Sequence, residues 1–165
     1  MNQVFAVDLP ETSALRSSLA RSSFHDSYAV ALADEQLSPI EIFLRASRAT
    51  PEWVDTLMAI RNAVVRRLGL KDVGAMAGNA AKPAQAYVVG DRLGIFSIYQ
   101  MREDELVLGI DDSHLDVRVS VLKRSGHYVV STVATVHNWL GRLYMVPVGR
   151  IHPFVVRAMM RRAKV

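Results

Sequence analysis

The sequence predicts an α+β fold: an antiparallel curved β-sheet gripping a long C-terminal helix, with a pair of shorter helices closing one end. Three observations carry that expectation. The first is the stretch Asn138 to Arg162, where Leu140, Leu143, Pro147, Ile151, Phe154 and Ala158 recur in steps of three and four, as one face of a helix requires. The second is a change of period at Val88, after which apolar and polar residues alternate as far as His137. The third is two helix starts in quick succession, Ser38-Pro39-Ile40-Glu41 and Thr50-Pro51-Glu52.

Taken in order, residues 1–24 read as a polar, serine-rich N-terminal arm with a short helix from Ser13 to Arg21. Ser27 to Leu32 is a brief strand with Tyr28, Val30 and Leu32 on one side. Ser38 caps the next helix, Pro39 takes its first position and Glu41 stands where a capping box wants a carboxylate. Ile40, Phe43 and Leu44 are its buried side. Its neighbour repeats Trp53, Leu57, Ile60, Val64 and Leu68 in helical period and stops at Gly69. The residue before a proline avoids helical geometry, so Thr50-Pro51 should set the two helices in a V.

Residues 72–91 form a loop, glycine-containing and aperiodic as far as Ala86, and a candidate gate. Glu103-Asp104, Asp112-Ser113 and Ser125-Gly126 then divide Leu93 to His137 into four strands. With two-residue turns, Leu108 pairs with Tyr99 and Val117, and Val117 pairs with Ala134. One face becomes apolar (Ile95, Ser97, Tyr99, Met101, Leu106, Leu108, Ile110, Val117, Val119, Val121, Val130, Thr132, Ala134). The other is mostly polar, with Asp111, His114, Asp116, Arg118 and His137. Agreement among three separately placed turns is the main support for this register, because a one-residue slip would scramble the faces.

The chain has 165 residues, 50% of them hydrophobic and 22% charged, which suits a single domain spanning 1–165. Without cysteine there is no disulfide framework, thiolate chemistry or cysteine-ligated zinc. No basic region followed by an apolar run opens the sequence, and no apolar run reaches about 18 residues, so a cytoplasmic protein without a transmembrane segment is expected. Six of the 20 basic residues but none of the 16 acidic ones lie from Asn138 onward. That excess reads either as a solvated outer face or as a contact for an anionic membrane. Nucleic acid is not expected, because no basic stretch interleaves stacking aromatics.

Searches for GxSxG, GxGxxG, a Walker lysine and HExxH are empty, so no cofactor is expected and the catalytic residues, if any, are unknown. One metal-like arrangement stands out. In the register above His114 lies across from His137, with Asp116 two residues along, so two imidazoles could share an ion. The competing reading is an exposed strand face with cross-strand ion pairs, and on that reading there is no metal. His152, beside Pro153, either meets a ligand or is an ordinary half-buried histidine.

ELVLGIDDSHLDVRVSV (Glu105 to Val121), NWLGRLYMVPVGRIHPFVVRAMMRR (Asn138 to Arg162) and TPEWVDTLMAIRNAVVRRLGL (Thr50 to Leu70) resemble an uncharacterised bacterial family, across about residues 24 to 162. It occurs as a stand-alone protein and as a C-terminal extension of some short-chain-dehydrogenase-like proteins. That family in turn looks like part of the superfamily of the birch-pollen allergen, START lipid-transfer domains and polyketide cyclases, with their helix-grip fold. The resemblance implies a cavity for an apolar ligand and carries over no catalytic residue.

A small apolar or amphipathic molecule, or a lipid, is therefore the expected partner, held between the meander and Leu143 to Phe154 and admitted near the loop. Ser97, Tyr99, Val117, Thr132, Ala134, Tyr144, Ile151 and Phe154 are the candidate lining. A cyclase- or dehydratase-like enzyme in the same cavity is the alternative, as is an interaction domain that fills the space with its own side chains. A homodimer is left open.

Overall fold

Alternating sequence produces alternating burial. In the computed structural model, which describes residues 3–67 and 82–165, seven strands form one antiparallel sheet. They are β1 (Val4–Ala6), β2 (Phe24–Ala31), β3 (Arg92–Leu93), β4 (Phe96–Met101), β5 (Glu105–Asp111), β6 (Leu115–Arg124) and β7 (His127–Val136). The spatial order is β1-β2-β7-β6-β5-β4-β3, so the β3–β7 meander is extended at β7 by the two N-terminal strands. Among the described residues three α-helices complete the architecture: α1 (Pro39–Arg48), α2 (Glu52–Arg67) and α3 (Trp139–Arg162). The fold is α+β, with the long C-terminal helix packed on the sheet.

The predicted faces hold through β5, β6 and β7. Val117 pairs with Ala134, and Val119 with Thr132. Leu108 pairs with Val119 rather than Val117, because the β5–β6 connection is two residues longer than a tight turn. A shift of two preserves the face. In β4 the outcome differs. Met101 opposes Leu106 and Gln100 opposes Val107, but a bulge at Tyr99 puts Ile98, not Tyr99, opposite Leu108. One extra residue reverses side-chain parity beyond it. Phe96 and Ile98 therefore enter the core, and Ser97 and Tyr99 go to the other face.

On the helix-bearing face, Val30, Ile98, Leu106, Leu108, Val121 and Tyr128 pack with Ile40, Ile42 and Leu44 of α1 and Met160 of α3. Here α1 covers β5 and β6, while α3 runs over β2 and β1. The opposite face is not left to solvent. Leu9 and Leu15 of the N-terminal arm lie on Val107 and Val133, and Ala14–Arg21 forms a 3-10 helix across β6 and β7. Glu105, fully buried there, accepts from Ser13 Oγ (2.7 Å), Ser120 Oγ (2.6 Å) and the Ala14 N–H (2.9 Å).

The start of α3 is capped as expected: the Asn138 side chain accepts from the Gly141 N–H at 3.1 Å. Its rotation is not as expected. Leu143, Pro147, Ile151 and Phe154 point to solvent, and Gly141, Met145, Val148, Gly149, His152, Val156, Met159 and Met160 face inward. Both arcs are apolar, so period alone does not choose between them. Close approach does. A Cβ at Gly141 would lie 2.2 Å from the His114 carbonyl oxygen, so this helix can sit where it does only with glycine on its inner arc. The same one-residue rotation occurs in α2. Val54, Met58, Arg61 and Val65 turn inward, while Trp53, Ile60 and Val64 are exposed.

Candidate functional site

The alternation of β2 places Phe24, Asp26 and Tyr28 on the helix-bearing face, opposite Ala134, Thr132 and Val130 of β7. The inner arc of α3 lies over them. His152 Nδ1 stands 3.0 Å from Asp26 Oδ2, with both side chains mostly buried. The Phe24 ring meets the imidazole edge-on, centroids 5.5 Å apart. Burial, and then the neighbouring Asp26 carboxylate, raise the Tyr28 phenol above its ordinary value, while Arg157 pulls the other way. Asp26 Oδ1 and Arg157 Nε are buried without a hydrogen-bond partner among the described residues.

A carboxylate accepting from Nδ1 fixes the tautomer that leaves Nε2 as the basic nitrogen, the arrangement by which an imidazole is oriented for proton transfer. The pair joins residues 126 apart in sequence. Neither position carries a local signal, apart from the histidine beside a proline.

Farther along the same helix–sheet seam, where α3 leaves the end of β7, lies an open cleft of about 330 Å³. Ser23 and Val136 form its sheet side, and Arg142, Met145 and Val146 its helix side. Ser23 Oγ accepts from the Val136 N–H at 3.1 Å, which holds the two strand ends together. Cleft and histidine share one seam, with Phe24 following Ser23 in the chain.

A family model described as "Protein of unknown function (DUF2867)" matches residues 18–159, from the 3-10 helix to the last turn of α3. The chain belongs to the DUF2867 family. No curated protein and no solved structure matches it.

In this DUF2867 domain the eight residues expected to line a cavity separate into three groups. Val117, Thr132 and Ala134 are on the helix-bearing face, with Thr132 and Ala134 buried. Tyr144 is half-buried, its hydroxyl accepting from Arg61 Nε at 3.2 Å. Ser97 and Tyr99 lie on the opposite face because of the β4 bulge. There Arg118 stacks 4.0 Å above the Tyr99 ring and pairs with Asp111 at 2.6 Å. Tyr99 donates to Asp111, whose carboxyl is held below its ordinary value: burial pushes it up, but the phenol and the guanidinium outweigh that. Ile151 and Phe154 point outward because of the helix rotation. None of the eight lines the cleft.

The histidine arrangement of the DUF2867 meander is also divided. His114 does lie across from His137, whose N–H donates to the His114 carbonyl at 3.0 Å. Their side chains part. His137 Nε2 pairs with Asp116 at 3.0 Å in the half-exposed cross-strand manner. His114 is 1% exposed, with its ring edge-on to Tyr144 at 5.4 Å. Asp112 lies 3.4 Å from His114 Nδ1, and neither ring nitrogen has an aligned hydrogen-bond partner. Among the described residues no three acidic, histidine or cysteine side chains gather closely enough to hold a metal.

The expected gate falls in two parts. Residues 72–81 lie outside the described residues. From Lys82 onward, Tyr87 is buried in the main core and Lys82 pairs with Asp91 at 2.9 Å, while Val88 and Val89 are exposed. Among the described residues no helix is long and apolar enough to cross a membrane.

Proposed function

We propose that the domain binds a small amphipathic molecule along the seam between the end of β7 and the first half of α3. The observation that carries this reading is the cleft of about 330 Å³. It is within the size range, roughly 300–1,000 Å³, of small-molecule sites. Its lining pairs Val136, Met145 and Val146 with one cationic side chain, Arg142, and one hydroxyl, Ser23. Such a set suits an apolar body with an anionic or polar end. The order of strand, helix pair, meander and long helix is the order of START-like and polyketide-cyclase domains, and it supports the same reading.

A second reading, an enzyme acting in that seam, is favoured by the Asp26–His152 pair, with His152 Nε2 as general base or acid. The binding reading is tested with a fluorescent fatty-acid probe. The folded protein should bind it, Val146→Trp should fill the cleft and abolish binding at unchanged melting temperature, and Arg142→Glu should weaken acidic probes more than neutral ones. Probe binding indifferent to both substitutions would place the ligand elsewhere and sink the proposal.

A further inference from the structure

The outer arc of α3 is apolar where a solvated helix should be polar. Trp139 is 72% exposed, Phe154 69% and Leu143 59%, with Val146 and Ile151 also open to solvent. Trp139 and Phe154 stand about 22 Å apart along the axis. On the same exposed side are Arg142 and Arg150. The helix carries no acidic residue anywhere between Trp139 and Arg162. Five large apolar side chains in a row mark a surface that something covers.

We infer that this arc docks on an anionic membrane surface, with α3 lying in the plane of the headgroups. Charge selects that occupant over a second copy of the chain. A two-fold dimer through this arc would bring Arg142 and Arg150 of both helices together, with no carboxylate on either helix to answer them. Anionic headgroups answer every guanidinium at once. The residue types also agree, since tryptophan and phenylalanine beside arginine suit the boundary between headgroups and acyl chains. The inner arc stays packed on β2 and β1, so docking needs no rearrangement of the fold. The inference stands whether or not the cleft takes a ligand.

The test is co-sedimentation with vesicles of phosphatidylcholine alone and of phosphatidylcholine with phosphatidylglycerol, at several salt concentrations. A Trp53→Phe variant leaves Trp139 as the only tryptophan reporter. The protein should sediment with the anionic vesicles and not the neutral ones, less so at high salt, and Trp139 emission should shift to the blue. Arg150→Gln, which leaves Arg142 in the cleft untouched, should weaken binding by roughly fivefold. Leu143→Glu with Phe154→Glu should abolish it. Because all three positions are exposed, the melting temperature should hold, and the arginine variant carries the test if the glutamate variant fails to fold. Absence of sedimentation with anionic vesicles overturns the inference, as does binding that ignores both variants. A reversible dimer that Leu143→Glu with Phe154→Glu dissociates, without vesicle binding, overturns it in favour of a second copy.

Discussion

Glu105 shows how one side chain can organise a face of the sheet. Its carboxylate is sealed from solvent, yet it meets two hydroxyls and a backbone N–H, with Arg102 3.8 Å away. The N–H belongs to the first residue of the 3-10 helix, so a strand carboxylate serves as that helix's anchor. Glu105→Ala would leave Ser13, Ser120 and the Ala14 N–H without their acceptor, at an expected cost of about 2–4 kcal/mol. Denaturant midpoints measure the loss, and hydrogen exchange over residues 14–21 should accelerate. Unchanged protection there would show that Leu9 and Leu15 hold the arm unaided. Ser13 and Glu105 are 92 residues apart, and no pattern in either neighbourhood announces the pair.

Among the elements, α1 is the most legible, because its stop and start signals are local. Ser38 N–H and Oγ–H both donate to Glu41 Oε2, at 2.9 and 2.6 Å. The hydroxyl first, and the N–H with it, hold the Glu41 carboxyl below its ordinary value. A depressed folded-state pKa means stabilisation that is complete above the ordinary glutamate value of about 4.3 and is lost as pH falls through the lowered one. Glu41→Gln should therefore cost about 0.5–1 kcal/mol near pH 7 and progressively less toward pH 3. Melting curves of both proteins across that range check the sign. Parallel curves would mean that the carboxylate's charge plays no part. In α2 and α3 the same periodicity is a poor guide, since each helix has two apolar arcs about 100° apart. Gly141 against the His114 carbonyl fixes which arc of α3 turns inward.

For the molecule as a whole, the sheet faces are the strictest demand. Val117 sits between Ile110 and Ala134 on the helix-bearing side, and Asp116 between Asp111 and Thr135 on the other, paired with His137. Val117→Asp should lower stability by about 1–3 kcal/mol, because a charge without a partner would enter a half-buried site on the apolar face. Asp116→Val should leave it folded, losing only a half-exposed ion pair. Thermal melts that treat the two alike would contradict the faces.

Strand alternation, turn residues and caps act between neighbours in the chain. For that reason the fold class, the meander, the helix pair and the limits of the last helix are all legible in the amino-acid sequence by itself. Parity survives even where the β5–β6 pairing differs from the tight-turn register, since a slip of two keeps every side chain on its side. Three things depend on contacts between distant parts of the chain. The bulge at Tyr99 sends Ser97 and Tyr99 away from the expected cavity. The close seating of Gly141 turns Ile151 and Phe154 outward and brings His152 in. The pairing of β2 with β7 then sets Asp26 beneath that histidine. A side chain's neighbours along the sequence constrain which arc or face it can occupy, but its partner across the core is chosen by packing and close approach, which no local pattern records.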